Sequence, residues 1–141
     1  LGGTNDPVVQ QVAVLHNHHD GARRMLGRGL LRDRLVEGGV ERLEQMDLRA
    51  GGRYRISFNA KGGYNEVGGV YRDVVANARL VFSWAWHSTP ERESLVTVLL
   101  KPEGAGTLLT FTHEQFADAT ARDNHERGWT ELLAKLEFHL A

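Results

Sequence analysis

The hydrophobic period of this chain changes once and stays changed. From Val40 to Glu114 apolar residues recur at every second position, in short runs broken by turn residues; from Asp118 or Thr120 to Leu140 they recur at helical spacing. A period of two marks strands with one face on a core, and a period near 3.6 marks a helix with one apolar stripe. "VVQQVAVL" (8–15) reads as an opening strand, and "VERLEQMDL" (40–48) as another, of ambiguous inward face. In "RAGGRYRISF" the Gly51-Gly52 pair turns the chain, and Tyr54, Ile56 and Phe58 then alternate with Arg53, Arg55 and Ser57. "KGGYNE" reads as a loop and "GGVYRDVV" as a strand; "RLVFSWAWH" puts Leu80, Phe82, Trp84 and Trp86 on one face. "SLVTVLL" and "TLLTFTHE" follow on either side of the turn "KPEGAG". The last stretch carries a stripe of His125, Trp129, Leu132 or Leu133, Leu136 and Leu140, with Asp118 or Thr120 as the N-cap. The pattern predicts an α+β fold in one domain spanning residues 1–141: a curved antiparallel meander against one long C-terminal helix. One or two short helices, interrupted by Gly27 and Gly29, are expected after the first strand.

Composition narrows the function more than it names it. The formal net charge is -1 with acidic and basic residues interleaved, so the concentrated positive field of a nucleic-acid binder is missing. The chain has 0 cysteines, which excludes disulfides, thiolate metal sites and cysteine nucleophiles. No apolar run approaches the roughly 20 residues of a membrane-spanning helix, and no secretory signal is visible, so a cytoplasmic protein without membrane contact is the expectation. Neither glycine-rich stretch opens a helix after a strand as a phosphate loop does. No cofactor is implied. "HNHHD" (16–20) could suggest a metal, but adjacent histidines in a turn rarely close a coordination geometry, and a solvated loop is the better reading.

Gly128 poses the sharpest local question. Glycine inside a helix costs about 1 kcal/mol relative to alanine, and here it precedes Trp129 on the predicted helix. A helix lying across a concave sheet could use the missing side chain for close contact or for an internal cavity walled by Trp129, Trp84, Trp86, Phe82 and Tyr54. His113 shares a face with Leu109 and Phe111, and His125 lies on the inward helical stripe. Converging with Tyr54 or Tyr71, either could act as an acid/base or as a polar anchor. A histidine satisfied by a neighbouring group is the stronger expectation for His113. Leu95 and Leu99 oppose Val96, Val98 and Leu100, so that strand is apolar on both faces and a second copy of the chain could cover the outer one.

Four stretches, in order, carry a resemblance. "DLRAGGRYR" (47–55), "GGVYRDVVANARLVFSWAW" (68–86), "VTVLLKPEGAGTLLTFTHEQF" (96–116) and "NHERGWTELLAKL" resemble the activator of heat shock protein 90 ATPase homologue family, within the START-like, polyketide cyclase-like (SRPBCC) superfamily. The first departs by Ala50 in place of proline, and the segment before Asp47 lacks the family's paired tryptophans. The resemblance implies a helix-grip fold, a sheet wrapped around the C-terminal helix, with a mostly apolar pocket between them. It implies a hydrophobic small molecule as partner, contacted by Tyr54, Phe58, Tyr71, Phe82, Trp84, Trp86, Phe111, His113, His125 and Trp129. Two alternatives accompany it: a cyclase, aromatase or hydrolase using His113 or His125, and a stimulator of a chaperone ATPase.

Overall fold

Alternation and turn chemistry produce seven strands and one helix, described by the computed structural model over residues 5–15, 42–60 and 63–140. The strands are β1 (Val8–Leu15), β2 (Arg42–Met46), β3 (Arg53–Ala60), β4 (Gly63–Val75), β5 (Arg79–Trp86), β6 (Ser94–Glu103) and β7 (Gly106–Glu114), and the helix is α1 (Ala119–Leu140). The expected short helices and the "HNHHD" tract fall outside the described residues. β4 begins at Gly63, so most of "KGGYNE" is strand rather than loop; Gly63, Tyr64 and Asn65 pair with Ala60, Asn59 and Phe58.

All seven strands form one antiparallel sheet in the order β1-β7-β6-β5-β4-β3-β2. From β2 to β7 each strand pairs with the next in sequence; β1 then lies along the outer edge of β7. Register puts inward side chains into continuous rows. One row runs Val8, His113, Val96, Phe82, Tyr71 across five strands, and the next runs Gln10, Phe111, Val98, Leu80, Val74. Directly opposed residues lie close enough for their side chains to touch, so these rows form the floor on which the helix rests. β4 carries a register shift between Tyr71 and Asp73, an irregularity of the kind that bends a strand and curves a sheet. The close approach of β5 is made at Gly69: a Cβ there would stand 2.0 Å from the Ser83 carbonyl oxygen.

α1 starts where Asp118 Oδ1 accepts the Ala121 amide at 2.8 Å, which makes Asp118 the N-cap. Its apolar stripe presses Trp129, Leu133 and Leu136 into the sheet, all buried, with Leu132 partly so. Each large apolar side chain fully buried contributes roughly 1.5–3 kcal/mol, enough for this face to fix the helix despite its glycine. Gly128 itself points the other way. It is exposed, and a Cβ built there meets nothing within 4 Å, so it shapes neither a cavity nor a close contact. Stripe geometry explains the difference: one step from Trp129 turns about 100° around the helix axis.

Candidate functional site

Two histidines and three tryptophans meet where the start of α1 crosses β5, β6 and β7. The chain has 3 tryptophans, and every indole N–H donates to an imidazole nitrogen of this cluster. Trp129 Nε1 donates to His113 Nδ1 at 2.8 Å, while Trp86 and Trp84 donate to His125 Nε2 at 2.9 and 3.3 Å. The two donors on Nε2 share one lone pair, so the shorter Trp86 bond is the stronger.

Because an indole N–H can only donate, these contacts fix both tautomers. His113 accepts at Nδ1, carries its proton on Nε2 and donates it to Ser94 Oγ at 2.7 Å; the Ser94 hydroxyl donates onward to the Trp84 carbonyl at 3.2 Å. His125 is the mirror case. It accepts at Nε2 and donates from Nδ1 to the Ala121 carbonyl at 2.6 Å, one helical turn back. Both rings are therefore neutral with both nitrogens used. Burial, helped by the neighbouring His125, lowers the His113 pKa from 6.5 to about 3; burial also lowers that of His125, opposed by the Ala121 carbonyl. Phe116 packs against both rings at a tilt, its centroid 4.3 Å from His113 and 5.4 Å from His125, while the two imidazoles lie 5.0 Å apart.

The tyrosines lie deeper along the sheet. Tyr54 donates to the Ser83 carbonyl at 2.6 Å, and burial raises its pKa well above the ordinary value. Burial pushes Tyr71 up to about 12. Both remain neutral hydroxyls at any physiological pH.

Beside the histidine–tryptophan cluster a cleft of about 80 Å³ opens between the β5–β6 connection and the first turn of α1. Trp84, Trp86, Phe116 and His125 form its walls, Ser94 its inner end, and Arg92 and Thr89 its mouth. A site enclosing a whole drug-sized molecule measures about 300 Å³ or more, so this cleft accepts the end of a molecule. Of the ten candidate ligand contacts, three line it: Trp84, Trp86 and His125. The other seven pack among themselves and their neighbours. Tyr54 sits 5.4 Å from Tyr71 and 5.3 Å from Phe82, Phe58 sits 5.8 Å from Trp86, and Phe111 sits 4.5 Å from Trp129, all between ring centroids. His113, with no exposed surface, lies behind Ser94. Among the described residues no group of three or more His, Cys, Asp or Glu is placed to hold a metal.

Ser94, Phe116 and Arg92 were not among the expected site residues. Alternation could not have found Phe116: continued through Leu109, Phe111 and His113 it selects position 115 next, but Gln115 adopts φ 67°. That left-handed residue shifts the phase by one, and Phe116 turns inward in its place.

The family described as "Activator of Hsp90 ATPase homolog 1-like protein" matches residues 41–141. Protein CV1439 from Chromobacterium violaceum has a similar structure, with a TM-score of 0.82 at 22% identity over 97% of this chain and 98% of that one. Protein Mll3558 from Rhizobium loti matches with a TM-score of 0.70 at 26% identity, over 96% and 99% of the two chains. DynU16, a protein of the dynemicin biosynthetic locus, matches with a TM-score of 0.75 at 17% identity over 97% of this chain and 48% of its own. No curated protein matches the sequence.

Proposed function

Since the chain belongs to the family of Activator of Hsp90 ATPase homolog 1-like proteins, we propose that it binds a hydrophobic small molecule between sheet and helix, at the cleft beside His125. The carrying observation is the cleft wall: Trp84, Trp86, Phe116 and the neutral His125 ring offer flat apolar surfaces around a space open at one end. Such a space suits the end of a planar or acyl molecule, held by apolar burial at about 25 cal/mol per Å². Its remainder would lie along the mouth toward Thr89. The fold shared with DynU16 supports a biosynthetic small molecule as the class of ligand.

Binding is favoured over catalysis by His113 or His125 because each ring nitrogen already has a fixed partner. A general base needs a free lone pair within reach of the substrate, and neither ring offers one to the cleft. Native mass spectrometry and calorimetric melting with a panel of planar aromatic and acyl compounds test the reading. A retained compound that raises the melting temperature is expected, with affinity falling at least about tenfold in Trp86→Ala, in line with the loss of an aromatic anchor. A panel without one retained compound, or one retained equally by a folded Trp86→Ala variant, would end it.

A further inference from the structure

The mouth of the cleft has a chemistry of its own. Arg92 is the one formally charged side chain among the described residues that line it, since His125 is held neutral. Its guanidinium Nη1 reaches Asp118 Oδ2 at 3.2 Å, across the gap between the β5–β6 connection and the cap of α1. Both side chains are about half exposed, at 49% and 47%, and an ion pair in that setting is weak and screened by salt. Asp118 is held independently, because its other oxygen accepts the Ala121 amide. The other acid beside Arg92 with a placed partner, Glu93, is drawn away to Arg72 at 3.0 Å. Arg92 can therefore exchange a loose carboxylate partner for another without breaking the cap.

We infer that the cleft is selective for apolar carboxylic acids: the apolar end enters between Trp86 and Phe116, and the carboxylate takes the place of Asp118 on Arg92. This rests on the cleft being a ligand site and adds the class of ligand. A guanidinium presents paired N–H donors that match a carboxylate in a fork, whereas the walls behind it carry no charge. The ligand would be amphiphilic, with an apolar body about the size of one ring and an anionic head at the surface.

3-Phenylpropanoate and its neutral isostere 3-phenylpropanamide are suitable probes, followed by NMR of the intact chain through the indole N–H signals of Trp84 and Trp86. The acid is expected to bind about fivefold more tightly than the amide at low salt, the upper end of what an ion pair at a half-exposed site contributes. Raising the ionic strength should shrink that ratio. Arg92→Gln should bring it to within about twofold of unity while the amide still binds. Asp118→Asn, which keeps an equally good cap but frees Arg92, should tighten the acid severalfold and leave the amide unchanged. If acid and amide shift the same signals with equal affinity, or if Arg92→Gln and Asp118→Asn leave their ratio unaltered, the carboxylate selectivity is wrong and the cleft stands as a neutral apolar site. If neither probe moves the indole signals, this inference fails, while the cleft as a ligand site is decided by the compound panel.

Discussion

At the scale of single residues, His113 shows how a polar group comes to sit at the centre of an apolar row. Its neighbours across the sheet are Val8 and Val96, which offer it no hydrogen bond, so its partners come from elsewhere: Trp129 from the helix and Ser94 from the adjacent strand. Leaving either ring nitrogen unpaired would cost about 1–3 kcal/mol. The arrangement holds the neutral ring and excludes the charged one. Its folded pKa of about 3 lies below the 6.5 of the unfolded chain, so between these values the unfolded state binds more protons and stability rises with pH. The contribution of the neutral ring is complete above pH 6.5 and is lost as pH falls toward 3. Over the whole window the loss reaches at most roughly 5 kcal/mol from this one group, and His125 adds to it with the same sign. Urea unfolding at a series of pH values should show stability falling steadily below pH 6.5; a flat profile between 6.5 and 4 would contradict the neutral assignment.

At the scale of elements, β3, β5 and β7 were legible because each presents a clean alternation, and the helix because its stripe is unbroken from His125 to Leu136. The start of β4 was missed: Gly63 and Asn65 imitate a turn, and only pairing with β3 makes them strand. The site was legible in part for a similar reason. Trp84, Trp86 and His125 could be placed on inward faces from their own periods. Ser94 depends on the register of β6 against β5, and Phe116 on one left-handed residue. Gly128 misled because a glycine beside a buried tryptophan resembles a packing device, whereas the helical turn carries it to the outside. The consequence is quantitative. Gly128→Ala should stabilise the protein by about 0.5–1 kcal/mol through helix propensity alone, seen as a higher urea midpoint at unchanged slope. Gly128→Leu should leave ligand affinity unaltered. A destabilised Gly128→Ala variant would mean that the open space beside this residue is occupied in solution.

At the scale of the whole molecule, the sheet joins the two ends of the sequence: Val8 lies opposite His113 and Leu15 opposite Gly106. The strand order of β2 to β7 follows from short connections, but the place of β1 beside β7 could be reached only through the resemblance, since periodicity carries no information about which edges meet. Pairing segments so far apart requires closing almost the entire chain before contact is rewarded. Refolding is expected in about milliseconds to seconds, as for other folds dominated by non-local strand pairs. Stopped-flow circular dichroism measures it, and complete recovery within microseconds would be incompatible with this topology. The clustering of all three indoles against two imidazoles has a last consequence, an optical one. Tryptophan emission from this protein comes from the helix–sheet seam, so a red shift reports that seam parting even while the strands behind it keep their pairing.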